Sequence, residues 1–155
     1  MKLIVNKTGK LTGEIKIPSS KSHTIRAIVI ASLAKGISKI INPLFSEDTR
    51  AAINGCKALG AKIEQQNNNL VIEGFNAKPQ KPKEKLNMLN SGTSINLLAS
   101  AAALGSFKVI LDGDASLRTR PMQPLLDALK QIGVNARSIN NNGCPPVEIE
   151  GPMQG

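Results

Sequence analysis

Ser20-Lys21-Ser22-His23-Thr24-Ile25-Arg26-Ala27-Ile28-Val29-Ile30-Ala31-Ser32-Leu33 decides the fold, because a later stretch of the chain is built on the same plan. Ser19 or Ser20 can cap a helix here, Ile25, Ile28, Val29 and Leu33 carry it forward, and Gly36 can end it. Beyond Arg26 the helix is apolar nearly all round, which predicts burial. Ser38 to Leu44 reads as a strand. Ser46 then caps a second helix, with Glu47 and Asp48 suited to its first turn. Its inner face is Ala52, Ile53, Cys56 and Leu59, and Gly60 ends it. Ala61 to Glu64 and Leu70 to Glu73 read as a hairpin about Asn67-Asn68-Asn69.

The second copy repeats that order. Asn90 or Ser91 caps a helix through Leu97, Leu98, Ala101 and Leu104, ended by Gly105. Phe107 to Leu111 is a strand, Asp112 to Thr119 a loop, and a helix is expected from Pro121 with Leu125, Leu126, Leu129 and Ile132 inward and Gly133 at its end. Val134 to Ile139, a turn at Asn140 to Gly143, and Val147 to Glu150 close a second hairpin. Gly36 answers Gly105, Leu59-Gly60 answers Ile132-Gly133, and Glu73-Gly74 answers Glu150-Gly151. Units of this kind bury their apolar faces against neighbouring copies.

The head of the first helix also carries chemistry. Lys21 and Ser22 lie where free backbone N–H groups and the positive dipole end favour an anion, and Arg26 shares the face of Ser22 one turn on. Together they suit a phosphate or carboxylate; the plainer alternative is a solvated first turn with surface cations. A P-loop does not fit, because Ser20 stands where that motif requires glycine.

Composition narrows the classes. The 155 residues suit one domain, and 41% apolar residues can build a core. No apolar stretch is long enough to span a membrane, and the segment after Met1-Lys2-Leu3-Ile4-Val5-Asn6 is too polar for a signal peptide. Cys56 and Cys144 make no disulfide framework, so reduced thiols in the cytoplasm are expected, with Cys56 as a core residue. The net charge of +9 suits nucleic acid or small polyanionic substrates. With no Trp, no Tyr and three Phe there is little to stack on bases. The densest cations, Lys78 to Lys85, read as an exposed linker. Cys and His residues nowhere take metal-ligand spacing. Ser32-Leu33-Ala34-Lys35 and Lys7-Thr8-Gly9 match β-lactamase elements in reversed order and without S-D-N, so they carry no assignment.

Three motifs, Pro18 to Ala27, Asn90-Ser91-Gly92-Thr93 and Asp112 to Met122, resemble, in order, those of the 3-phosphoshikimate 1-carboxyvinyltransferase family of enolpyruvyl transferases. Pro18-Ser19-Ser20-Lys21-Ser22-His23-Thr24-Ile25-Arg26-Ala27 is similar to its P-G-S-K-S-x-x-x-R-A segment. Asn90-Ser91-Gly92-Thr93 is similar to G-N-S-G-T, and Asp112-Gly113-Asp114-Ala115-Ser116-Leu117-Arg118-Thr119-Arg120-Pro121-Met122 to D-G-D-x-S-L-x-x-R-P-M. Ser46-Glu47-Asp48-Thr49-Arg50 resembles a further S-x-D-x-x element. The related transferase acting on UDP-N-acetylglucosamine has K-N where this chain has Lys21-Ser22.

The resemblance implies an α/β fold of repeated βαβαββ units, two of the three copies of one domain. It divides the chain into 1–17, a strand segment belonging with a second domain; 18–77, the first repeat; 78–87, a linker; and 88–155, the second repeat. The implied reaction adds the 5-hydroxyl of shikimate 3-phosphate to C2 of phosphoenolpyruvate, protonates C3, and expels phosphate from the ketal. Lys21 would be catalytic and touch both substrates, Ser22 and Arg26 would hold shikimate 3-phosphate, and Gly92 and Arg120 would hold phosphoenolpyruvate. His23 falls at a position the family leaves variable and is expected to have no catalytic role. No cofactor, metal, nucleic acid or membrane is implied. The full enzyme is expected to be a cytoplasmic monomer and this chain a fragment inactive alone. Ser19 and Leu89 replace family glycines, Asn96 a usual arginine, and Leu97 a proline of some members, which bears on affinity and inhibitor sensitivity. The other classes open to this sequence are a non-catalytic phosphometabolite-binding module and a basic nucleic-acid-binding domain.

Overall fold

Both serine-headed stretches fold as helices, and the elements around them follow one plan twice. The computed structural model describes residues 2–7 and 9–154. The first unit runs α1 (Lys21–Leu33), β1 (Lys35–Ile41), α2 (Glu47–Ala58), β2 (Lys62–Gln66) and β3 (Asn69–Phe75). The second runs β4 (Leu86–Asn87), α3 (Gly92–Ala102), β5 (Lys108–Asp112), α4 (Gln123–Gln131), β6 (Asn135–Ser138) and β7 (Val147–Glu150), with a 3-10 turn at Leu117–Thr119. Matching strands fill matching places: the sheets are ordered β1-β3-β2 and β4-β5-β7-β6. All pairings are antiparallel except β4 with β5. The second unit is thus a complete βαβαββ run. The first, among the described residues, lacks the strand ahead of its first helix.

One core joins the two units. Helix α1 packs on α2, and both pack on α3. Ile25, Ile28, Leu59 and Ile72 of the first unit join Ile95, Leu98, Leu111 and Ile149 of the second, each 1% exposed or less. Each such side chain contributes roughly 1.5–3 kcal/mol by leaving water. The paired glycines have a steric cause. The last strand of each unit passes the end of its buried helix, and a Cβ at Gly74 would lie 2.2 Å from the Ala34 carbonyl oxygen. At Gly151 it would lie 2.1 Å from that of Ala103. Only glycine allows such an approach.

Several expectations move. Gly36 does not end α1: Ala34 does, and Gly36 lies inside β1 opposite Gly74, so the strand expected at Ser38 to Leu44 is Lys35–Ile41. Burial of α1 is one-sided, with Ile30 66% exposed on the face that no other element covers. The last helix does not begin at Pro121. Met122 is its N-cap, held by its N–H to the Gly143 carbonyl at 2.7 Å, and Pro124 is the proline of the first turn. Ile132 is half-exposed at the C-cap of α4 rather than on its inner face. The stretch 78–87 contains β4, with Pro79 and Leu86 buried, while Lys78, Lys81, Lys83 and Lys85 stay exposed. Residues 2–7 and 9–17 form no strand, and Leu3, Val5, Leu11, Ile15 and Ile17 are open to solvent because no sheet edge receives them. Met1, Thr8 and Gly155, which fall in the expected terminal units, lie outside the described residues.

Candidate functional site

Three helix starts converge on one side of the molecule. At the head of α1 the Ser20 hydroxyl oxygen accepts from the His23 N–H at 3.3 Å. At the head of α2, Ser46 and Thr49 cap each other, the Ser46 oxygen accepting from the Thr49 N–H at 3.3 Å and the Thr49 oxygen from the Ser46 N–H at 2.8 Å. At the head of α3 the cap is Ser91, not Asn90; its oxygen accepts from the Ser94 N–H at 3.3 Å. Ser91 also donates to the Ser94 hydroxyl at 2.7 Å, and Ser94 donates onward to the Asp48 carbonyl at 3.2 Å. These serines are buried, so the chain of hydroxyls locks the start of α3 to the start of α2.

The first turns enclose a concavity of about 320 Å³. Lys21 enters from α1, Glu47 and Asp48 from α2, and Asn90, Gly92 and Thr93 from the start of α3. Arg120 reaches in from the connection between β5 and α4. The structure therefore brings Lys21, Gly92 and Arg120 together from both units. Lys21 is ion-paired with Asp48, and the Arg120 guanidinium donates to the Asn90 side-chain oxygen. A Cβ at position 92 would lie 3.1 Å from Arg120 Nη1, so any side chain there would push the guanidinium back from the first turn of α3 by a few tenths of an ångström. Uncapped N–H groups, an ammonium and a planar fork face one small space, an arrangement that binds carboxylate or phosphate. An entering anion can take over from Asp48 as the partner of Lys21.

Ser22 and Arg26 stand on α1 beside the concavity and do not line it. Arg26 folds back along its own helix, donating to the Ser22 carbonyl at 3.3 Å. His23 contributes only its backbone to the cap. Asp48 and Asn90 line the site as partners of the two cations, roles that sequence reading missed. Both stand in motifs quoted above, Asp48 in the S-x-D-x-x element and Asn90 in the G-N-S-G-T element, but neither motif says which cation its side chain meets. Leu89 adopts φ 51°, the left-handed region that favours glycine. Asn96 donates to the Gly92 carbonyl at 3.0 Å along α3, and Leu97 packs partly buried against the core. A larger groove of about 590 Å³ lies at the C-terminal half of α2, against residues 80–88; it offers lysines but no helix start.

The connection that carries Arg120 is built around one carboxylate. Asp112, 2% exposed, receives Arg118 Nε on Oδ1 and Arg118 Nη2 on Oδ2 at 2.8 and 2.7 Å, and Lys85 Nζ on Oδ2 at 2.8 Å. The Arg118 guanidinium holds the Asp112 carboxyl well below the usual carboxylate range, against the opposing effect of burial. Burial pushes the Cys56 thiol up to about 11, which leaves it an inert core group. Among the described residues no His, Cys, Asp and Glu cluster could hold a metal, and no helix is long and apolar enough to cross a membrane.

Known proteins resemble this chain over nearly its whole length. The family model described as EPSP synthase (3-phosphoshikimate 1-carboxyvinyltransferase) matches residues 5–155. A 3-phosphoshikimate 1-carboxyvinyltransferase of Methanothermobacter thermautotrophicus is 44% identical over 155 residues, covering 100% of this chain and 37% of the relative. Another, from Acetivibrio thermocellus, is 45% identical over 153 residues, covering 99% and 36%. The chain thus spans little more than a third of the length of the curated relatives it matches. A solved EPSP synthase of Acinetobacter baumannii superposes with TM-score 0.84 at 33% identity, over 92% of this chain and 32% of that one. The enolpyruvyl transferase NikO of Streptomyces tendae, 12% identical with TM-score 0.55 over 85% of this chain and 30% of that one, shares the fold. The chain belongs to the EPSP synthase (3-phosphoshikimate 1-carboxyvinyltransferase) family.

Proposed function

We propose that this chain supplies one wall of the substrate cleft of an enzyme that transfers the enolpyruvyl group of phosphoenolpyruvate to the 5-hydroxyl of shikimate 3-phosphate and releases phosphate. The observation that carries the reading is the meeting of Lys21, Gly92 and Arg120 in one concavity at converging helix starts. Both substrates carry phosphate and carboxylate, and the reaction moves negative charge toward a departing phosphate. Cations and helix N-termini held in place before the substrates arrive favour that change without reorganising. In this reading Lys21 contacts both substrates and is catalytic. Gly92 and Arg120 hold phosphoenolpyruvate, through backbone N–H groups and a guanidinium fork. Ser22 and Arg26, next along α1, hold shikimate 3-phosphate, with Arg26 swinging from the Ser22 carbonyl to the ligand.

The two units, 18–77 and 88–155, would form two copies of one domain, with 1–17 belonging to another. The substrates are soluble phosphometabolites, so a cytoplasmic monomer without nucleic-acid or membrane partners goes with this function. Because the chain spans about a third of its relatives, the 155 residues alone are expected to bind but not to turn over. The test is a chemical-shift titration of the chain with phosphoenolpyruvate, alongside a phosphate-release assay with both substrates. Saturable shifts are expected at Gly92 and Thr93. Arg120→Ala should weaken them by roughly 1.5–3 kcal/mol, the loss of a charge-assisted contact. Shifts centred on Lys78 to Lys85 instead would overturn the site, and turnover near about 10 per second would overturn the expected inactivity.

A further inference from the structure

Arg120 rides on a connection longer than its counterpart in the first unit. Residues 42–46 suffice between β1 and α2, whereas residues 113–122 separate β5 from α4. The extra length is organised from its interior. Asp112, the last residue of β5, has both oxygens saturated: Oδ1 accepts from Arg118 Nε and the Gly113 N–H, each at 2.8 Å, and Oδ2 from Arg118 Nη2 and Lys85. The Arg118 backbone N–H reaches the Asp114 carbonyl at 3.0 Å, and Asp114 Oδ1 accepts from the Leu117 N–H at 2.7 Å. The Asp114 N–H donates to the Leu89 carbonyl at 2.9 Å, just before the start of α3. The Arg120 N–H closes the turn on the Leu117 carbonyl at 3.0 Å. Buried Leu117 and the Met122 bond to Gly143 anchor the two ends. Alongside these bonds Arg118 forks onto Asp112 with both prongs.

We propose that Arg118 is a positioning residue: its two-pronged grip on buried Asp112 fixes the turn Leu117–Thr119 and thereby holds the Arg120 guanidinium over Gly92 at the start of α3. The inference rests on the reading of Arg120 as an anion-binding group and deepens it. Arg118 does not line the concavity, because both prongs of its guanidinium are committed to Asp112. A comparable cluster lies elsewhere in the same unit and supplies the control. Glu148 is clamped by Arg137 at 3.0 Å and Lys108 at 3.3 Å, and none of the three lines the concavity.

The experiment uses the isotope-labelled chain in three forms: unaltered, Arg118→Gln and Arg137→Gln. Without ligand, the nuclear Overhauser contact between the Arg120 guanidinium and the Asn90 side chain should disappear in Arg118→Gln and persist in Arg137→Gln. Its persistence in Arg118→Gln overturns the proposal. With phosphoenolpyruvate as the probe, followed at Gly92 and Thr93, Arg118→Gln should raise the Kd about 10- to 100-fold, the scale of losing the charge-assisted Arg120 contact. Arg137→Gln should stay within about twofold, because the Glu148 clamp touches neither the concavity nor the connection that carries Arg120 and acts as an independent site. An unchanged Kd for Arg118→Gln likewise overturns the proposal. If the unaltered chain gives no saturable shift, the anion reading fails, and the ligand-free contact still decides the positioning role. Should Arg118→Gln not fold, Arg118→Lys keeps the charge and drops the fork; an Arg120–Asn90 contact as strong as in the unaltered chain then overturns it.

Discussion

The two units share a plan and differ at two places, and the differences mark where the molecule stops being a scaffold. In the second unit β5 is covered on its outer edge by β4, and its connection to α4 carries Arg118 and Arg120. In the first unit the matching strand, β1, is a sheet edge, with Ile37 and Ile41 each 75% exposed, and its connection to α2 is a short capping turn. The helix starts diverge in the same spirit. After the capping serine, α1 places Lys21, which brings charge, and α3 places Gly92, which leaves room for an arginine from elsewhere. A repeat supplies geometry, and the site is made from departures from it.

The sharpest test of the shared plan is at the paired glycines. Gly74→Ala and Gly151→Ala should each cost about 4 kcal/mol or more, because the new Cβ meets backbone oxygen that cannot move alone. Urea denaturation would measure both. Tolerance at one position only would break the equivalence of the units.

The covered and uncovered strands should respond unequally. Leu111 faces Val147 as Ile40 faces Leu70, but Leu111 is 0% exposed and Ile40 only partly buried. Leu111→Ala is expected to cost roughly 2–5 kcal/mol and Ile40→Ala about 1 kcal/mol. Equal losses would mean that β4 adds nothing to the burial of β5.

Acid should loosen the second unit at its long connection. Asp112 is held below its unfolded pKa by Arg118, and Glu148 is lowered in turn by Arg137. A lowered folded-state pKa gives stability that is fully present above the unfolded value, about 3.9 for Asp, and is lost as pH falls from there toward the folded value. Hydrogen exchange below about pH 4 should therefore show residues 113–120 losing protection before the α1–α3 core. Unchanged protection there at low pH would show that the clamp does not hold the connection. The smallest expected effect is a gain: Leu89→Gly should relieve left-handed backbone strain and add about 1 kcal/mol, read as a higher urea midpoint.

Local signals in the sequence determined a good deal. Serine caps, helix-ending Gly60 and Gly133, and the period of the apolar residues all act within a few residues of where they stand, so the helices, hairpins and repeat were legible. The first-turn position of Lys21 and the room at Gly92 were legible for the same reason. Tertiary structure decided the rest. Gly36 looked like a helix stop and lies in a strand, because pairing with β3 outweighs a local preference. Leu86-Asn87 looked like linker and became β4, because a parallel strand needs a partner distant in sequence. Strand-like residues within 2–7 and 9–17 stay unpaired, because no edge among the described residues receives them. The ion pair of Lys21 with Asp48, the hold of Asn90 on Arg120, and the fork of Arg118 on Asp112 join residues on different elements. No local pattern encodes such contacts; they exist only once the shared core has brought three helix starts to one place.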